Sequence, residues 1–326
     1  MTSTAFTTLV FGFPPKTIIA SAFGVILLIS KNDAYPINIF FQNSTIIDTN
    51  IKQIIKNFFI FSPFLLKFYQ KYLENKLKEL KDRLDKEVLY RDNFFELSSD
   101  KPDPVMVARK YNDENIALIC ALFAYGKASL IVKFLNSLNF ELLHERDEII
   151  QNELKNRYYR FQKHEDVVAL FISLKRLKEI DTLENIFHEG FKKDENILQG
   201  IENLISKIYS VNLHETFGYN FLVGSIPKSL NPIGLSPYKR VNMFIRWMVR
   251  CDNIDMGLWN KIDKKDILMP LDTHTFKVSR KLKLLDRKVY DFKAVLELTD
   301  KLKEFDLNDP IKYDFALYRL GQEKII

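Results

Sequence analysis

The chain has 326 residues, 47% of them hydrophobic, with a formal net charge of +6 and a pI near 9.0. That length supports a large core or two subdomains, and that apolar fraction excludes a disordered chain. The mild basic excess suits a polyanionic partner without requiring one. Cys120 and Cys251 both fall in helical apolar patterns and read as buried thiols. Two cysteines cannot hold a four-cysteine iron–sulfur cluster. The histidines show no zinc spacing and the glycines form no phosphate loop, so no metal or cofactor is expected.

The N-terminal segment, residues 1–76, differs from the rest. Phe6 to Ser30 is apolar and nearly uncharged, interrupted by Pro14-Pro15-Lys16. Thr17 to Ser30 is shorter than the roughly 20 residues a membrane helix needs. Three readings stay open: sequence upstream of the true start, a membrane anchor, or a docking extension. From Leu73 the charges alternate as on a solvated helix.

Residues 77–326 read as the main domain. Asp103-Pro104 marks a helix start. Asn112-Asp113 caps a second helix, NIALICALFAYG, which is apolar nearly all round and belongs at the centre of the core. Lys127–Leu138 follows as a helix. Tyr158-Tyr159-Arg160-Phe161 is either a base-stacking segment or core aromatics with a snorkelling arginine. Helical patterns run through Asp166–Lys178, Thr182–Phe191, Glu195–Tyr209 and Leu213–Leu222. The stretch from Gly224 to Pro237, with its prolines and glycines, is a loop. Further helices are expected over Asp291–Phe305 and from Asp309-Pro310 onward. With no strand of period two, the expected fold class is all-α.

The most informative stretch runs from Ser236 to Arg280. Val241, Phe244, Ile245, Met248 and Val249 form an apolar helical stripe. Lys239, Met243, Arg246 and Arg250 share another, basic face. Arg246 is expected to meet a buried acid and Arg250 to reach a phosphate. Trp247 and Trp259 read as core. A second helix start lies at Pro270-Leu271-Asp272-Thr273-His274, where Asp272 is a natural cap.

KRVNMFIRWMVR, GLW and PLDTH together resemble an uncharacterised bacterial family of the helix-hairpin-helix DNA glycosylase superfamily. The 33-residue interval from Lys239 to Asp272 is nearest that of the archaeal 8-oxoguanine DNA glycosylase branch. The resemblance covers about residues 77–326 and implies two α-helical subdomains around a cleft. It implies a base-excision glycosylase/lyase, with Lys239 as nucleophile and Asp272 as its acid/base and electrostatic partner. It also implies contacts to double-stranded DNA from Arg240, Arg250, His274 and Gly234, and a base pocket at Tyr125 and Gly126. The expected state is a cytoplasmic monomer. The family's hairpin reads Leu-Pro-Gly-Val-Gly, whereas this chain has one glycine, Gly234, five residues before Lys239. That departure leaves a non-catalytic nucleic-acid-binding protein of the same fold as the alternative. A membrane-anchored interaction protein is a further one.

Overall fold

The computed structural model describes residues 17–22, 25–30, 39–41 and 63–323, with side chains from residue 70. By packing, the chain divides into a unit Met1–Lys78 and a unit Glu79–Ile326. The first holds a three-stranded antiparallel sheet, β1 (Thr17–Ala22), β2 (Val25–Ser30) and β3 (Ile39–Phe41), in that order. Thr17 pairs with Ser30 and Val25 with Phe41. These strands correct the expectation of no strand. Their runs are mostly apolar, broken only by Thr17, Ser21 and Ser30, so no regular polar alternation betrays them, and their β-branched content suits a strand. Of the rest of the proposed extension, residues 63–76 are helical and the remainder lies outside the described residues. No described helix is long and apolar enough to cross a membrane.

From Pro63 onward every described regular element is helical. The long helix α1 (Pro63–Arg91) leads to α2 (Val105–Tyr111), α3 (Glu114–Leu122) and α4 (Ala128–Leu135). Then come α5 (Asp147–Leu154), α6 (His164–Ile180), α7 (Leu183–Phe191), α8 (Ile197–Val211) and α9 (Phe217–Val223). The last four are α10 (Lys239–Val249), α11 (Thr273–Lys281), α12 (Phe292–Lys303) and α13 (Tyr313–Gln322). Helix α5 and the 3-10 turn Phe140–His144 had no counterpart in the sequence reading.

The caps follow the sequence signals. Asp113 accepts from the amides of Asn115 and Ile116 at 2.7 and 3.1 Å, which satisfies two donors at the start of α3. Asn112 ends α2 in the left-handed region at φ 52°. Helix α3 is central: Ala117, Leu118, Ile119, Cys120 and Ala121 are fully buried, and α2, α6 and α10 pack on it. Trp259 is buried and donates its indole N–H to Glu114 at 2.7 Å. Trp247 is buried as well. Cys120 is the buried thiol expected, and burial pushes it well above the usual thiol range. Cys251 is exposed, contrary to expectation, because α10 ends at Val249 and places it on the following loop.

The last third of the chain is tied together by buried charge. Arg246 donates to Asp255 at 3.0 Å and to Asp314 at 2.6 Å. Arg250 reaches the same Asp255 carboxylate and grips Asp309 at 2.9 and 3.2 Å. The Asp255 side chain is 0% exposed, so its charge depends on these partners. Replacing Asp255 by alanine leaves two buried guanidiniums short of a counter-charge. Asp255→Ala is expected to lower stability by about 3–5 kcal/mol, read as a fall in the urea midpoint at constant slope. A midpoint equal to wild type would show that the network holds nothing together.

Candidate functional site

Helix α10 begins with an unusual backbone step. Tyr238 takes φ 47° and ψ 38°, and no side chain caps the helix behind it. A bulky residue in the left-handed region costs energy that its surroundings must offset. Here Tyr238 is buried with its ring edge-on to Phe292 at 6.0 Å, and Asn242 donates to the Pro237 carbonyl at 3.0 Å. The turn is thereby locked, and Lys239 stands at the first helical position. Its ammonium donates to the Met243 sulfur at 3.1 Å, a weak acceptor, and forms no ion pair among the described residues.

Asp272 caps α11. Both cap bonds fall on Oδ1, which accepts from the His274 amide at 2.8 Å and the Thr275 amide at 2.7 Å. Among the described residues nothing donates to Oδ2. The neighbouring α13 packs along α11, and Gly321 permits the contact: a Cβ there would lie 2.6 Å from His274 Nε2. Helix α13 also supplies Asp314. Burial raises the Asp314 carboxyl, the Arg246 guanidinium opposes that, and both Asp272 and Lys239 lie within electrostatic reach. Asp314 thus feels charge from the starts of both α10 and α11. Asp314 was missed by sequence reasoning, because nothing local marks it as different from any other helical aspartate.

Other candidate residues have different surroundings. Arg250 is 6% exposed and held by Asp252, Asp255 and Asp309. It is not presented to a phosphate, and the expectation of a DNA contact there is corrected. Arg246 meets its buried acids as expected. The amide of Gly234, at φ 75°, donates to Asp291 Oδ2 at 3.0 Å. A carboxylate of this chain thus occupies the donor proposed for a DNA phosphate, which corrects that assignment. Loop carbonyls Leu235 and Pro232 accept from the first amides of α12, Phe292 and Lys293, at 2.9 and 3.1 Å. The loop is docked on the N-terminus of α12, with Asp291 at the joint.

Arg240 faces an aromatic cluster. It donates to the carbonyls of Leu122, at 2.6 Å, and Phe221. Its guanidinium lies over the rings of Tyr125 at 5.4 Å and Phe221 at 4.9 Å. It has no carboxylate partner among the described residues, and burial pulls it down to about 10. Tyr125 is packed within this cluster and bonded through its hydroxyl to Gln162. The Arg160 side chain covers Gly126, where a Cβ would lie 2.4 Å from its Nη1. These two positions border a filled cluster. A cavity of about 530 Å³ lies elsewhere, between Tyr209, His214 and Pro227.

Arg287, the Gly234 amide and the Ala294 amide hold the Asp291 carboxyl down at about 2, against its ordinary 3.8. A depressed acid stabilises the fold fully above its unfolded value, and that contribution fades as pH falls toward the folded value. The docked loop should therefore loosen between pH 3.8 and about 2. Asp291→Asn keeps a capping side chain but removes the titration. Its stability should be flatter than wild type across that window, measured as urea midpoint against pH. Parallel curves would contradict the assignment.

Among known proteins, no curated protein and no solved structure matches this chain. Residues 103–323 match one family model, described as a protein of unknown function (DUF2400). That span takes in α3, the aromatic cluster, Lys239, Asp272 and Asp314, and covers more than half of the chain. The chain belongs to the DUF2400 family.

Proposed function

We propose that this protein is a DNA base-excision glycosylase/lyase that acts on a damaged base in duplex DNA, with Lys239 as nucleophile and Asp272 as its proton acceptor. One observation carries the reading. The Lys239 ammonium has no carboxylate of its own, and Asp272 keeps one carboxylate oxygen without a donor while the other caps α11. Both share Asp314 as an electrostatic neighbour. The similarity of KRVNMFIRWMVR and PLDTH to the helix-hairpin-helix glycosylases supports the same pair.

The chemistry follows from those groups. Lys239 loses a proton to Asp272 Oδ2, and the freed amine attacks C1′ of the extruded nucleotide. The N–C1′ bond forms as the bond from C1′ to the base breaks, and the base leaves with that electron pair and takes up a proton. Asp272 passes that proton on to the leaving base, and the carboxylate so restored stabilises the positive charge that develops on the sugar. The C1′–O4′ bond then breaks as a proton on the Lys239 nitrogen passes to O4′, giving a protonated imine, and loss of a C2′ proton to water expels the 3′ phosphate with the electron pair of its C3′–O bond. No cofactor enters these steps. The uncapped first amides of α10 add a favourable field for the backbone of DNA.

The engaged Gly234 amide and the neutralised Arg250 favour a second reading, a binding protein of the same fold without catalysis. Borohydride trapping separates the two. Incubated with duplexes carrying an abasic site or a panel of base lesions, the wild-type protein should form a covalent adduct. Lys239→Gln should lose it while still binding DNA. Asp272→Asn keeps the cap but not the proton acceptor, and should slow trapping on the order of 10²–10⁴-fold. Equal adduct in wild type and Lys239→Gln would refute the assignment and leave the binding reading.

A further inference from the structure

The cluster around Tyr125 has a composition that core packing alone does not call for. Gln162 and Tyr159 pair backbone to backbone at 2.9 and 3.1 Å, closing a two-residue turn that displays Arg160 and Phe161. Arg160 takes φ 56°, the left-handed region. Its guanidinium lies 5.5 Å from the Tyr125 ring centre and 5.6 Å from that of Phe161. Arg240 covers the same Tyr125 ring at 5.4 Å. One tyrosine therefore carries two guanidiniums, and neither has a carboxylate partner among the described residues. Beside them Phe161 stacks on Tyr125 at 5.6 Å and meets Phe221 edge-on at 4.7 Å. Phe217, at the start of α9, stands 6.2 Å from Phe161. Phe161, Phe217 and Tyr158 are 42%, 76% and 72% exposed.

We propose that this surface is a stacking platform for the unpaired nucleotides of single-stranded nucleic acid. Exposed rings offer π-faces to bases, and uncompensated guanidiniums offer positive charge to phosphates, which together are what a single strand needs. Duplex bases are stacked on one another and present no face to Phe217. An apolar protein partner would bury the exposed Arg160 guanidinium without a counter-charge, at a large desolvation cost. A second copy docking through the same patch would bring its own pair of guanidiniums against them. The proposal requires no chemistry at Lys239 and goes beyond the lyase reading.

Fluorescence anisotropy on the full chain tests it, without borohydride, so that binding alone is read. The probes are a labelled oligodeoxythymidylate of about ten nucleotides, the matching oligouridylate, and a blunt duplex of the same length. A single strand of at least one sugar type should bind more tightly than the duplex, and the preferred arm identifies the sugar. Phe161→Ala and Phe217→Ala should each weaken that binding by about five-fold or more. Phe217→Trp, which keeps a π-face, should retain it. Arg160→Gln should reduce the log–log salt slope by about 0.7. Phe217 is largely exposed, so its replacement leaves the core intact, which cooperative urea unfolding will verify. Three results would overturn the proposal: no preference for single strands, affinity indifferent to both phenylalanines, or a dimer in sedimentation that Phe217→Ala dissolves.

Discussion

The site depends on where α10 sits, and the two arginines of its C-terminal half fix that. Arg246 reaches forward to Asp314 on α13 and sideways to Asp255, while Arg250 joins Asp255 to Asp309 just before α13. A buried ion pair contributes little net stability compared with apolar residues of the same volume, because desolvation offsets most of the attraction. What it does contribute is direction. Two guanidinium forks, one in the last turn of α10 and one on the residue that ends it, matched to acids on a loop and on another helix, allow one rotation of α10 about its axis. That rotation places Lys239 near Asp314. Helix α13 packs on α11, so the same constraint carries Asp272 into the neighbourhood.

Most of the helices were legible in the sequence because their signals are local. Asp113, Thr182, Asp272 and Asp291 all cap the helices they were expected to begin, and the apolar run of α3 is central as its composition requires. Arg246 could be assigned a buried acid because Trp247 and Met248 beside it implied burial. Arg250 was misread for the same local reason. Spacing placed it on a basic face, but its acids come from the following loop and from Asp309, and no periodicity reveals them. Gly234 is similar: its hydrogen-bond partner, Asp291, was visible only as the cap of its own helix. The aromatic cluster draws on four separated segments: composition pointed to Tyr158-Tyr159-Arg160-Phe161 and the family resemblance to Tyr125 and Arg240, but nothing local pointed to Phe217 or Phe221.

The basic face of α10 is thus graded along its length. At the C-terminal end its charge is cancelled by buried acids. At the N-terminal end Lys239 and Arg240 have no carboxylate partner, and the helix dipole adds to them instead of opposing them. A net charge of +6 says nothing of this distribution. The charge still available to a polyanion lies at one helix end, between an aspartate with a free oxygen and a bed of aromatic rings. On the proposed lyase reading, a ligand drawn to that end by its phosphates meets both of the surfaces on which its sugar and bases could be held. On that reading the Gly234 amide can be given over to Asp291, because the attraction that a phosphate contact there would provide is supplied from the first turn of α10.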